Sequence, residues 1–374
     1  MIAVVGASAA GLTAAQTLRR EGYDGPLTVF GDEDRMPYDR PPLSKQILAG
    51  TWEPAKAALQ STVDAEWLLG VRATGLDVAG RRLRLSTGDS LDYDNLVIAT
   101  GVRPRRLPFG HDLAGVHVLR TMADALALRG ELGDGGAVVV VGAGFMGSEV
   151  AAVASGMGLD VTVVDPLPAP MVTQFGPWIG GFLAKLHADH GVRLRMGTGV
   201  TGLVGDGRVT GVELSDGGVL PADVVLVAIG SVPNTEWLAG SGLSLTNGVD
   251  CDSLCRAAPN VVAAGDVASW THPEWGARVR VEHRMNATEQ GMAAARTLLG
   301  KGDPYAPVGY FWTDQFEVKI QAYGTFPPDA QPVVAAGDPG SGRFAVTYDW
   351  HGRVAGVLGW NLPRETRQLR ARWF

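Results

Sequence analysis

Two glycine-spaced turns are the segments of this sequence whose residue types and spacing best suit chemistry. One reads Gly142-Ala-Gly144-Phe145-Met146-Gly147 and the other Gly6-Ala-Ser8-Ala-Ala10-Gly11. Glycines at these intervals let the backbone turn sharply off a strand and approach a pyrophosphate, which then sits on the positive N-terminus of the next helix. An acid about 20 residues further on takes the ribose hydroxyls. Asp165 stands there after the complete turn, and Asp32 or Glu33 after the turn in which Ser8 replaces the middle glycine. Serine is the smallest tolerable departure. Two such turns, each with its acid, predict dinucleotide binding: either two nucleotides, or one nucleotide and a decayed second copy.

The turns work only where they join a strand to a helix, and the flanking residues supply both. Ile2 to Val5 and Val138 to Val141 are apolar runs of strand length, helical patterns continue to Arg20 and Met157, and Leu27 to Phe30 and Val161 to Val164 close each unit. Leu83 to Leu85 and Leu96 to Ile98 read as strands, the second ending on Ala99-Thr100-Gly101; Val224 to Ile229 ends similarly on Gly230. Val261 to Gly265 is another buried strand, closing on Asp266, with a helix expected from about Asn286 to Leu299. From Tyr310 the pattern changes to short alternating strands, Val318 to Tyr323, Phe344 to Tyr348 and Val354 to Gly359, between Pro, Gly and Asp turns.

Bulk properties exclude several classes. A chain of 374 residues exceeds one ordinary core, so two or three domains are expected. The net charge of −7 argues against a general nucleic-acid binder. The most apolar stretches, such as Ala137 to Val141, are far shorter than the roughly 20 residues a membrane span needs. The chain opens directly on a strand pattern, so no secretory signal and a cytoplasmic location are expected. Cys251 and Cys255 are the only cysteines; they make no disulfide framework and no metal set, and are expected to be core thiols.

The succession of a first turn at Gly6, Ala99-Thr100-Gly101, a second turn at Gly142 and Gly265-Asp266 resembles the two-dinucleotide flavoproteins of the disulfide-reductase type. Pro37-Tyr-Asp-Arg40-Pro-Pro42-Leu-Ser-Lys45, Leu119-Arg120-Thr121 and Phe311-Trp312-Thr-Asp-Gln315 narrow that resemblance to the FAD-dependent ferredoxin reductases of oxygenase systems, over nearly the whole chain. It implies an α/β fold of two Rossmann-like domains plus a small α+β C-terminal domain. The FAD domain would take 1–113 and 245–308, the NAD domain 114–244 and the C-terminal domain 309–374. It also implies FAD contacts from Gly6, Ser8, Ala10, Gly11, Asp32, Arg40, Pro42, Lys45, Ala73, Ala99, Thr100, Gly101, Arg120, Gly265, Asp266 and Trp312. NAD would be met by Gly142, Gly144, Phe145, Met146, Gly147, Glu149, Asp165 and Gly230. Asp266 suits ribityl hydroxyls and equally a helix N-cap, and Arg120 suits the pyrophosphate.

Lys45 and Glu149 are the catalytic candidates. The resemblance pairs them beside the flavin N5, with Glu149 on the first turn of the second unit's helix; the alternative for Glu149 is an exposed acid favoured by the helix dipole. Asp165 would repel a 2′-phosphate, and Pro166 to Met171 offers no Arg, so NADH is favoured over NADPH. No cysteine pair follows Lys45, so the electrons are expected to leave singly for an iron–sulfur ferredoxin, with no nucleic-acid or membrane partner and a monomeric or homodimeric state. Ferredoxins are typically acidic, so Arg103, Arg105, Arg106, Arg364, Arg367, Arg370 and Arg372 are candidate docking residues.

Two features depart from the family pattern. Arg284 stands where relatives often carry Trp, and the chain reaches Phe374 early, so a shortened C-terminal helix is expected. Two other readings compete: an NADH oxidase or peroxidase, and a redox-sensing flavoprotein similar to apoptosis-inducing factor, which would turn over slowly with every acceptor.

Overall fold

Ile2–Val5 is a run of four buried aliphatic residues, and apolar side chains on both faces are what a strand inside a parallel sheet requires. A computed structural model describes residues 1–374 and divides them into two units. The first comprises Met1–Asp39, Ala57–Arg103 and Val232–Pro307, and the second Arg40–Lys56, Pro104–Ser231 and Val308–Phe374. No helix is long and apolar enough to cross a membrane.

In the first unit a six-stranded sheet runs Arg256–Ala258, Val261–Ala263, Asn95–Ile98, Ile2–Val5, Leu27–Gly31, Glu66–Leu69. All pairings are parallel except that between the first two. The helix Ala9–Arg20 buries Ala9, Ala10, Leu12, Ala14, Ala15 and Leu18, and burying each leucine contributes about 1.5–3 kcal/mol. Its alanines admit a close neighbour, the helix Arg284–Leu298. There a Cβ on Gly291 would come within 2.5 Å of the Ala10 carbonyl oxygen, so only glycine fits. Ala73–Asp77, Arg82–Leu85 and Ser90–Asp92 form an antiparallel three-stranded sheet, of which the sequence pattern revealed only the middle strand. Cys251 and Cys255 are free thiols in the core.

In the second unit a five-stranded parallel sheet runs Arg193–Met196, Asp160–Asp165, Ala137–Val141, Val224–Val227, Val116–His117. Val200–Asp206, Arg208–Leu214 and Val219–Pro221 add an antiparallel hairpin and a third strand. The last 65 or so residues form a five-stranded antiparallel sheet in the order Tyr310–Gln315, Val318–Gly324, Arg353–Trp360, Arg343–Trp350, Gln331–Asp338, followed by the helix Pro363–Trp373. That sheet packs on the helix Val172–Asp189: Phe175, Ile179 and Leu183 share one core with Ile320, Phe344, Val346 and Leu358. The helix breaks at Gly176 (φ 79°), just before Pro177, whose missing N–H cannot continue the ladder.

Candidate active site

In the first unit the turn after Ile2–Val5 is built around two glycines that tolerate no side chain. Gly6 has φ 121°, and a Cβ there would lie 2.1 Å from the Ala99 carbonyl oxygen; a Cβ on Gly11 would lie 1.9 Å from the Gly6 carbonyl oxygen. Ser8 is the N-cap of the helix Ala9–Arg20, and its side chain makes no capping bond, which leaves the first-turn N–H groups for an anion. Asp32, one residue past Leu27–Gly31, is exposed and lies 3.9 Å from Arg72; Glu33 accepts from the Tyr38 hydroxyl at 2.6 Å. Ala73 is buried at the start of its strand. Ala99 donates its N–H to the Val5 carbonyl at 2.7 Å, and Thr100 and Gly101 are fixed by three hydrogen bonds with Asn234.

Gly265 (φ 76°) donates to Gln290 Oε1 at 2.9 Å, and its Cβ position lies 3.0 Å from Ala10. Asp266 leads into the strand Ala268–Thr271, so the N-cap reading fails: the next helix starts at Arg284. Arg284 itself forms an ion pair with Asp39 and donates to Thr288, and its acidic partner comes from the Pro37–Lys45 motif. Arg103, from the candidate docking set, is paired with Glu236.

The complete turn lies in the second unit. Gly142 has φ 107°, and a Cβ on Gly147 would come within 1.9 Å of the Gly142 carbonyl oxygen, whereas the space beside Gly144 is open. Gly144 is the N-cap of the helix Phe145–Gly156 and has no side chain to occupy the first turn. Asp165 ends its strand buried; its two carboxylate oxygens accept from the N–H groups of Ala143 at 2.7 Å and Leu167 at 2.8 Å. The acid at the end of this strand is thereby tied to the turn itself. Phe145 packs edge-on to Phe175 and Phe311, Met146 is half-buried, and Gly230 (φ 94°) accepts from the Arg105 N–H at 2.9 Å. Both turns fit a dinucleotide by the same test: glycine where a Cβ would collide, and an uncapped helix N-terminus.

Lys45 and Glu149 are brought together, although 104 residues separate them. Lys45 follows the short 3-10 helix Pro41–Ser44, whose two prolines preset φ, and the segment is held by Arg40 donating to the Arg120 carbonyl. Lys45 Nζ lies 2.5 Å from Glu149 Oε2, and both side chains are about nine-tenths buried. Glu149 is the fifth residue of its helix and so sits on the second turn; the first-turn placement expected from the motif spacing was one turn early. The helix dipole acts mainly within the first turn, so hydrogen bonds hold the carboxylate: Ser44 Oγ donates to Oε2 at 2.5 Å and Thr313 Oγ1 to Oε1 at 2.8 Å. The exposed-acid alternative is therefore excluded. Ser44 and Thr313, which hold this carboxylate, were not among the residues expected from the sequence.

Trp312, on the strand Tyr310–Gln315, is half-buried and stacks on Tyr310 at 5.7 Å between ring centroids; Tyr310 stacks in turn on Tyr323 at 4.6 Å. Arg370 lies over the Tyr323 ring at 5.6 Å, and Arg364, Arg367 and Arg372 are exposed with it on the last helix. Arg105 and Arg106 are exposed as well. Burial pushes the Cys255 thiol up to about 12 and the Cys251 thiol higher still, as expected for core thiols and not for a reactive pair.

The comparisons with known proteins cover this whole architecture. The family model described as pyridine nucleotide-disulphide oxidoreductase matches residues 1–291, and the reductase C-terminal model matches residues 310–372. Rhodocoxin reductase of Rhodococcus erythropolis is 38% identical over 99% of this chain and 88% of its own length. The ferredoxin--NAD(+) reductase component of the anthranilate 1,2-dioxygenase system of Burkholderia cepacia is 38% identical over 98% of this chain and 92% of its own. Among solved structures, the ferredoxin reductase for the CYP199A2 system from Rhodopseudomonas palustris superposes with a TM-score of 0.95 at 34% identity, covering 99% of this chain and 93% of that one. Putidaredoxin reductase in its covalent complex with putidaredoxin gives 0.94 at 33% identity, covering 99% and 92%. The chain thus belongs to the pyridine nucleotide-disulphide oxidoreductase family, among the FAD-dependent ferredoxin reductases of oxygenase systems.

Proposed function

We propose that this chain is an NADH-dependent ferredoxin reductase that supplies an oxygenase. FAD belongs to the Gly6–Gly11 turn and NADH to the Gly142–Gly147 turn. When bound, the flavin accepts a hydride as an electron pair and gives the electrons up singly. The protein's own residues do the rest. Gly144 leaves room in which a pyrophosphate would be held by the uncapped N–H groups at Phe145 and Met146. Asp165 supplies a carboxylate for ribose hydroxyls and repels a 2′-phosphate, the reason to favour NADH.

The single observation that carries the reading is the buried Lys45–Glu149 pair, whose glutamate lies on the helix that follows the Gly142–Gly147 turn. A buried charge alone is costly, so the two act as a unit that keeps an ammonium at a fixed place in the second unit. The acceptor follows from the relatives' named partners, together with the location of both cysteines in the core of the first unit, where they serve no dithiol chemistry. The arginines of Pro363–Trp373 offer an acidic ferredoxin a basic surface.

The reading is tested by Glu149→Ala in anaerobic stopped flow. Flavin reduction by saturating NADH should slow at least about tenfold, with FAD still bound. Wild-type reduction kinetics would remove the pair from the hydride step. Oxidase and redox-sensing readings predict instead that adding a ferredoxin leaves turnover unchanged.

A further inference from the structure

The Lys45–Glu149 pair ends a hydrogen-bonded chain that reaches deep into the second unit. Thr313 Oγ1 lies 2.8 Å from Glu149 Oε1, Gln315 Nε2 3.2 Å from Thr313 Oγ1, and Gln315 Oε1 2.8 Å from His187 Nε2. Thr313, Gln315 and His187 are each 1% exposed or less. Thr313 and Gln315 are alternate residues of the strand Tyr310–Gln315 and so point to one face, while His187 comes from the helix Val172–Asp189.

Proton counting fixes the direction of this chain. The paired carboxylate only accepts, so the single hydroxyl proton of Thr313 goes to Glu149. The Thr313 oxygen must then accept from the Gln315 amide nitrogen, whose second proton points to Met171 Sδ at 3.4 Å. That turns the Gln315 carbonyl toward His187, which must carry its proton on Nε2. His187 Nδ1 is buried without a hydrogen-bond partner, so no acceptor there calls for a second ring proton, and burial holds the ring's pKa below its ordinary value. Each link from His187 through Gln315 and Thr313 thus donates one proton toward Glu149.

We propose that Thr313, aligned by Gln315 and His187, is a positioning residue that fixes the Glu149 carboxylate against Lys45. The inference rests on the reading of Lys45–Glu149 as the pair that serves the hydride step. With Oε2 taken by Lys45 and Ser44, Thr313 supplies the bond to Oε1, and a carboxylate held at both oxygens cannot swing about its last torsion. Remove that hydroxyl and Lys45 loses a fixed counterion, although no residue of the pair has changed.

The test uses Thr313→Val, which keeps the shape and deletes the hydroxyl, Thr313→Ser, which restores it, and Gln315→Met, which leaves the hydroxyl free to turn away. The first readout needs no flavin: acylation of Lys45 in the apoprotein by an amine-reactive anhydride at constant pH, quantified by mass spectrometry. Thr313→Val should label about tenfold faster than wild type, Gln315→Met should move the same way, and Thr313→Ser should stay within about twofold. In the holoenzyme, the limiting rate of flavin reduction should fall by a similar factor in Thr313→Val with the apparent Kd for NADH unchanged.

Wild-type labelling and wild-type reduction in Thr313→Val would overturn the proposal, as would failure of Thr313→Ser to restore either. Glu149→Gln separates the two levels. If it leaves flavin reduction unchanged, the role of the pair in hydride transfer falls, while the labelling of Lys45 still decides whether Thr313 positions Glu149.

Discussion

Truncating Glu149 is the perturbation whose energetic consequence the structure specifies best. Its carboxylate accepts from Lys45 at 2.5 Å, Ser44 at 2.5 Å and Thr313 at 2.8 Å, all with little access to water. Glu149→Ala would leave the Lys45 ammonium, 11% exposed, with its counterion gone and two hydroxyl donors without an acceptor. Stranding one partner of a buried pair costs about 3–5 kcal/mol. Lys45→Met should cost less, about 2–4 kcal/mol, because Ser44 and Thr313 still solvate the remaining carboxylate. Combining the same two substitutions, Lys45→Met with Glu149→Ala, removes both charges together, strands no ion and should cost no more than about 2 kcal/mol. The two single costs together, about 5–9 kcal/mol, would then exceed the double by about 3 kcal/mol or more, well above the few tenths expected of independent sites. The assay is urea unfolding of the four apoproteins, followed by tryptophan fluorescence and by far-ultraviolet circular dichroism. A double variant that loses the sum of the two single losses would refute the reasoning, because the pair would then not be energetically coupled.

Other consequences follow from single features. Gly147→Ala puts a Cβ where only 1.9 Å separates it from the Gly142 carbonyl oxygen, so NADH affinity measured by titration should fall at least about tenfold while FAD content stays full; wild-type affinity would contradict the close helix approach. Asp165→Ala removes the acceptor for the Ala143 and Leu167 N–H groups together with the charge that opposes a 2′-phosphate. Steady-state KM for NADH should rise and the preference over NADPH shrink, and an unchanged preference would contradict this. Burial holds the pKa of His111, His117, His187, His272 and His283 below the ordinary value of 6.5, His283 at about 4. A histidine whose folded pKa is depressed takes up its proton more readily when unfolded, so its stabilising contribution is complete above pH 6.5 and is lost as pH falls toward the folded pKa. The urea midpoint should therefore drop between pH 7.5 and 5, and a flat profile would count against these burial assignments.

The parts of this account that were legible in the sequence are the parts fixed by local geometry. Gly6, Gly11, Gly142 and Gly147 could be read because close backbone approach within a few residues excludes any side chain, and the flanking strands are short aliphatic runs. The helix position of Glu149 was read one turn early, because the spacing from Gly147 does not say where helical hydrogen bonding starts. Asp266 suits a helix N-cap by residue type, as aspartate does in general, yet here a strand follows. Residues meeting across long separations were not legible: Thr313 lies 164 residues from Glu149, and Gln315 lies 128 from His187. A signal for them existed in the alternation of Thr313 and Gln315, two polar residues on one face of a strand, but nothing local said that this face is buried. The attachment of the C-terminal sheet to Val172–Asp189 was likewise hidden, since it depends on Phe175, Ile179 and Leu183 matching a surface more than 100 residues away.

Anaerobic titration of the holoenzyme with NADH, followed by stepwise addition of an iron–sulfur ferredoxin, tests the central claim most directly. Flavin and iron–sulfur absorbance are read together. NADH should bleach the flavin stoichiometrically, and added ferredoxin should then be reduced as the flavin recovers, with about two ferredoxins reduced for each NADH consumed, because a hydride carries two electrons and the cluster accepts one. A flavin that is bleached by NADH but passes no electrons to any one-electron iron–sulfur carrier, or one that NADPH reduces and NADH does not, would contradict the account.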